Sequence, residues 1–213
     1  MTGPAPERVT IEGDGGIRLE ARWDRPPTPH GAIVFCHPHP QHGGTMTAPL
    51  MHKVTKGLVA RGLAVLRFNF RGVGLSSGDW AGGLGEIDDV AAAVHHAGTE
   101  LPDVTPGLAG WSFGAATALA WQAREQDATP FAGIAPPVRT ELVERLPQPH
   151  ELVPARRLFI LGDRDQFVTV EDMTGYVAEA GGALNVLSGS DHFFYFREDR
   201  VATMIADHFT NEE

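Results

Sequence analysis

From Ala32 onward, short continuous apolar runs alternate with longer segments in which apolar residues recur every three or four positions. The runs Ala32 to Cys36, Leu63 to Phe68 and Thr105 to Ala109 predict buried strands, and Phe131 to Ala135, Leu158 to Gly162 and Leu184 to Leu187 predict further strands of the same sheet. Between them lie helical stripes. Leu50, Met51, Val54 and Leu58 follow Thr47 as an expected cap, with Pro49 in the first turn and Gly62 as the stop. Ile87, Val90, Ala91 and Val94 follow Glu86, Asp88 and Asp89, where negative charge suits a helix N-terminus, and Gly98 is the expected end. Ala115 to Glu125 predicts a third helix. Met173, Tyr176, Val177 and Ala180 stripe a fourth, and Val201, Met204, Ile205 and His208 a last one. Ahead of all this, Arg8 to Glu12 and Ile17 to Trp23 flank Gly13-Asp14-Gly15-Gly16, a hairpin signal. The order predicts an α/β fold: a mostly parallel central sheet with helices on both faces and an N-terminal antiparallel hairpin. We expect residues 1–213 to form one domain. The proline-rich stretch from Pro136 to Pro154 is too short for another and is read as minimal cap at most.

Composition narrows the function classes. With 213 residues, 42% hydrophobic and 21% charged, the chain suits a globular domain with a sizeable core. No apolar run reaches the roughly 18 residues of a membrane helix. The segment Met1 to Thr10 has no basic or apolar leader pattern. Cys36 is the sole cysteine, so an intrachain disulfide is impossible and a reducing cytoplasm is expected. A net charge of −10 with dispersed Lys and Arg argues against nucleic acid as a partner. The outer edge of the N-terminal hairpin could pair with another subunit, so the oligomeric state stays open between monomer and homodimer.

Candidate chemistry gathers in loops that follow strands, the place where α/β sheets carry function. Gly110-Trp111-Ser112-Phe113-Gly114 fits G-x-S-x-G between a strand and a helix. That pattern puts a serine on a sharp turn, hydroxyl exposed, near the positive end of a helix dipole. A serine needs a base to take its proton, and the base needs a third group to fix its tautomer. Asp163-Arg164-Asp165 and Ser190-Asp191-His192 follow later strands, giving the chain order Ser, Asp, His.

Together with these, His37-Pro38-His39-Pro40, Arg67-Phe68-Asn69-Phe70-Arg71-Gly72-Val73-Gly74, Gly162-Asp163-Arg164-Asp165-Gln166-Phe167-Val168 and Asp191-His192-Phe193-Phe194 make a specific set. From about Ala32 to Phe209 the chain resembles the α/β-hydrolase superfamily, in its small bacterial dienelactone-hydrolase-like and carboxylesterase-like members. The resemblance implies Ser112 as nucleophile and His192 as general base. The superfamily's G-x-x-D-x-x-V pattern selects Asp165 as the acid, with Val168 as its valine and Asp163 as the rival. An oxyanion hole needs two N–H donors. One is expected from Phe113, the other from the loop after the first buried strand. Pro38 and Pro40 have no N–H, so His39 is the choice and Gln41 the second. The resemblance thus implies a serine hydrolase cleaving small to medium acyl esters, its partner a small-molecule ester, with no cofactor and no metal.

Other readings compete. His37, His39 and His42 could suggest a metal, but no H-E-x-x-H or cysteine pair accompanies them, and hydrogen bonding within the loop is preferred. Cys36 is read as a buried structural thiol rather than a nucleophile. A thioesterase or peptidase would use the same triad. A non-catalytic binder on this fold is the alternative of another class.

Overall fold

Strands without a polar face must be covered on both sides, and the apolar runs accordingly fill the middle of one sheet, except the last, Leu184 to Leu187, which lies on its edge and is mostly exposed. The computed structural model describes residues 6–138 and 146–210. Its strands are β1 (Glu7–Glu12), β2 (Arg18–Asp24), β3 (Gly31–Cys36), β4 (Leu63–Phe68), β5 (Pro106–Trp111), β6 (Phe131–Ile134), β7 (Arg157–Gly162) and β8 (Ala183–Leu187). Its α-helices are α1 (Pro49–Val59), α2 (Gly85–Glu100), α3 (Phe113–Glu125), α4 (Val170–Ala180) and α5 (Glu198–Thr210).

The strand order is β1-β2-β4-β3-β5-β6-β7-β8. β2 runs antiparallel to both β1 and β4, and every later pairing is parallel. From β3 the chain steps one way to β4, then reverses and steps the other way through β5, β6, β7 and β8. Crossovers between parallel strands are right-handed, so α1 covers one face while α2, α3 and α4 cover the other. α5 packs beside α1. At their contact a Cβ on Gly57 would overlap the Ala202 side chain, so the glycine sets how closely the two helices approach. The reversal between β3 and β5 opens a crevice at their carboxyl ends, where ligands of doubly wound sheets bind.

Local details depart from the sequence expectations for physical reasons. Thr47 does not cap α1: its hydroxyl bonds Thr45 Oγ1 at 3.0 Å, and Ala48 precedes Pro49, whose missing N–H costs nothing at the first helical position. α2 runs through Gly98 to Glu100. Its fully buried face is Glu86, Asp89, Val90, Ala93 and Ala97, while Ile87, Ala91 and Val94 are half-buried. Two carboxylates thus point inward, because the loop after β4 supplies their partners. Of the 136–154 stretch, residues 139–145 lie outside the described residues; the rest includes a short turn at Pro149–Glu151 that packs against α4, where Tyr176 donates to Pro147 O at 3.0 Å.

Candidate active site

Ser112 sits between β5 and α3 with φ 53 and ψ −120, a strained backbone for a residue with a Cβ. The turn is held on every side. Ser112 N–H donates to Ile134 O on β6 at 2.8 Å, and Ser112 O accepts from Ala115 and Ala116 N–H at 3.0 and 3.1 Å. A Cβ on Gly110 would overlap Ala115 N, and one on Gly114 would overlap the carbonyls of Cys36 and His37. The two glycines therefore let strand, helix and neighbouring loop crowd together around the serine. Ser112 Oγ makes no hydrogen bond among the described residues, and it faces a cavity of about 300 Å³.

His192 lines the same cavity from the loop after β8. Its Nδ1 lies 2.8 Å from Asp165 Oδ2, and the Asp165 side chain is fully buried. The other Asp165 oxygen accepts the N–H groups of Phe167 and Val168 at 2.9 and 3.0 Å. This carboxylate is therefore saturated and fixed, and it orients the imidazole with Nδ1–H toward itself and Nε2 toward the cavity. Asp163 does different work: its Oδ1 accepts Gly189 N–H at 2.7 Å, binding the β7 loop to the β8 loop. Arg164 N–H reinforces that seam on Ser190 O at 2.9 Å. Trp111 ties serine strand to histidine loop, its indole N–H donating to His192 O at 3.2 Å.

The loop after β3 forms the facing wall. His37 is wholly buried; Nδ1–H donates to Pro38 O at 2.6 Å, and Nε2 accepts Phe70 N–H at 3.1 Å. Burial pushes its pKa down to about 4, against a weaker opposing pull from the Pro38 bond, so the imidazole is a neutral strut. Both its nitrogens are engaged, which removes it from any metal site. His39 and His42 stack with centroids 4.5 Å apart, and both line the cavity beside Phe113. Gln41 N–H donates to His39 Nδ1 at 3.2 Å, within the same loop. Phe113 opens α3, so its N–H has no intrahelical acceptor. Cys36 is buried beneath this wall, and burial pushes its thiol well above the ordinary range, as expected of a structural cysteine.

Several supporting residues escaped the sequence reading. Met46, in the same loop, is held at both ends: its N–H by Asn69 Oδ1 at 2.9 Å, its carbonyl by Arg67 Nη1 at 2.8 Å. Arg67 is in turn paired with Asp24 at 2.6 Å. A lone arginine inside the apolar run Leu63 to Phe68 was the available signal, since a buried guanidinium requires a carboxylate and acceptors. Glu86 accepts the N–H groups of Ala81 and Gly83, and Asp89 receives both Arg71 N–H and its guanidinium, the latter at 2.8 Å. These carboxylates hold the 69–84 loop against α2, and its Trp80 packs on His39 and Phe113.

A serine on a strained strand-to-helix turn, at the switch point of a sheet in this order, defines an α/β hydrolase. The family model for serine aminopeptidase, S33 matches residues 27–160, more than half of the chain. The chain belongs to that family, and it is a hydrolase. An uncharacterised protein of Rickettsia prowazekii is 32% identical over 94% of this chain and 87% of its own. An α/β serine hydrolase homologue from Coxiella burnetii superposes with a TM-score of 0.84 at 30% identity, covering 99% of this chain and 100% of that one. A Xanthomonas campestris member, an α/β serine hydrolase without a lid, gives 0.82 at 27% identity, covering 98% and 95%.

Proposed function

We propose that the chain is a serine esterase that cleaves small to medium acyl esters through an acyl-enzyme. The observation that carries this reading is the 2.8 Å pair between His192 Nδ1 and the buried Asp165, on an imidazole that shares one cavity with Ser112. His192 Nε2 takes the Ser112 proton as Oγ attacks the ester carbonyl. The resulting oxyanion turns to the N–H groups of Phe113 and His39, and Asp165 stabilises the imidazolium. His192 then gives its proton to the leaving alcohol as the C–O bond breaks, and water enters by the same steps to release the acid. The apolar core runs continuously beneath the site, which supports one catalytic domain.

The test is hydrolysis of p-nitrophenyl esters from acetate to laurate by wild type, Ser112→Ala and His192→Ala, beside labelling with a fluorophosphonate. Turnover and labelling that both vanish in Ser112→Ala support the reading. A wild type that neither turns over esters nor labels would overturn it in favour of a binding protein. The matching family's name favours a second substrate class, peptide amides, on the same residues. Aminoacyl p-nitroanilides cleaved faster than esters of equal size would establish that one.

A further inference from the structure

Two partly exposed phenyl rings stand beside the proposed general base at the cavity, and their place bears on which half of the substrate is aromatic. This step rests on the esterase reading. In the ester-cleaving step the carbonyl oxygen faces Phe113 and His39, while His192 must reach the alcohol oxygen to protonate it. The alcohol portion therefore lies against His192. There the imidazole is flanked edge-to-face by two phenyl rings, Phe167 at 4.8 Å and 79° and Phe193 at 5.8 Å and 87°. Both line the cavity, yet Phe167 is 49% exposed and Phe193 38%. Tyr195 stacks behind Phe193, centroids 5.9 Å apart. Ala48, Pro49 and Leu50 add aliphatic surface to the same cavity.

The backbone is bent to present these rings. Phe194 is wholly buried with φ 53, and Phe196 has φ 63, two left-handed conformations in a run of four aromatics. Such a conformation is an outlier for a bulky residue and persists only where the surroundings enforce it. Here Phe194 anchors inward while its neighbours Phe193 and Tyr195 stand at the cavity. Aromatic faces left in water beside a general base are surfaces for another ring, since offset and edge-to-face pairs add attraction beyond area alone. An apolar cavity of about 150 Å³ accepts a benzene ring, so about 300 Å³ holds the ring together with a short acyl group. We infer that the preferred substrates are short-chain aliphatic esters of arylalkyl alcohols, with the alcohol's ring packed against the exposed faces of Phe167 and Phe193.

The test compares benzyl acetate with cyclohexylmethyl acetate, esters of similar size whose alcohols leave with similar ease. We expect kcat/KM to favour the benzyl ester by about tenfold in wild type. Phe167→Leu and Phe193→Leu should shrink that ratio toward one, and Phe193→Tyr, which keeps the ring, should retain it. On wild type alone, benzyl alcohol should compete with a chromogenic ester at a lower concentration than cyclohexylmethanol. A wild-type ratio near one, a ratio unmoved by both leucine variants, or equal inhibition by the two alcohols would overturn the inference while leaving the esterase standing. Failure to hydrolyse any ester, with no phosphonate labelling of Ser112, would remove the esterase and this inference together.

Discussion

Two aspartates two residues apart receive opposite assignments here, and substitution separates them. Asp165→Asn keeps the shape but takes away the charge that opposes the imidazolium, and kcat should fall by about 10⁴. Asp163→Asn loses a bond to Gly189 N–H between two loops, and kcat should change by less than about tenfold. Comparable losses in both variants would refute the assignment. The sequence ranked these two through a family pattern and through the deeper place of Asp165 in the loop, because an extended segment would turn both the same way; their difference lies in which N–H groups the turn presents. His37 was legible as part of a histidine-rich loop but not as a strut, since Phe70 N–H, its acceptor's partner, is 33 residues away. Its consequence is a pH dependence of stability. Above pH ~6.5 the imidazole is neutral in the folded and unfolded states alike. Between that value and about 4 only the unfolded chain takes the proton. Stability is therefore lost as pH falls across this window, by up to about 3 kcal/mol. Urea titrations at pH 7.5 and 4.5 should show a smaller drop for His37→Gln than for wild type.

At the level of elements, α2 combines legible and hidden features. Its existence follows from apolar spacing, and so do those of the other helices and the buried strands, because burial writes its period directly into the sequence. Which face turns inward did not follow. Asp89 and Glu86 look like ordinary acidic residues at a helix start, and only the loop packed over them shows them to be internal partners. Asp89→Ala would leave the Arg71 guanidinium without its carboxylate, and should cost about 3 kcal/mol of unfolding free energy. It should also release the 69–84 loop to protease before the sheet unfolds, which limited proteolysis would reveal. A loss under about 1 kcal/mol would mean that water replaces the carboxylate, and that the loop is held elsewhere.

Across the whole molecule, one buried cation links several layers. Arg157, at the start of β7, has no carboxylate partner among the described residues; its guanidinium donates to Gln122 Oε1 on α3, Val153 O and Ala180 O at 3.2, 2.9 and 3.4 Å. Burial pushes its pKa downward. Arg157→Met removes the donors of three neutral acceptors, and thermal unfolding should move down by about 4–8 °C, the equivalent of roughly 2 kcal/mol in a chain of this size. An unchanged midpoint would show that relief of the buried charge offsets the lost bonds. The strand order was similarly beyond the sequence: alternating strands and helices imply a parallel sheet, but the reversal after β4 is fixed by which edges pair, a contest among residues far apart. That reversal places the site. Buried Met46, in the segment between the cavity-lining Gly44 and Ala48, is clasped at both its N–H and its carbonyl by residues at the end of β4, a strand in the interior of the sheet. The crevice wall is thus continuous with the innermost part of the protein and has no hinge of its own at that point. On warming, this enzyme should not pass through an inactive but folded stage, and its working range ends where its core gives way.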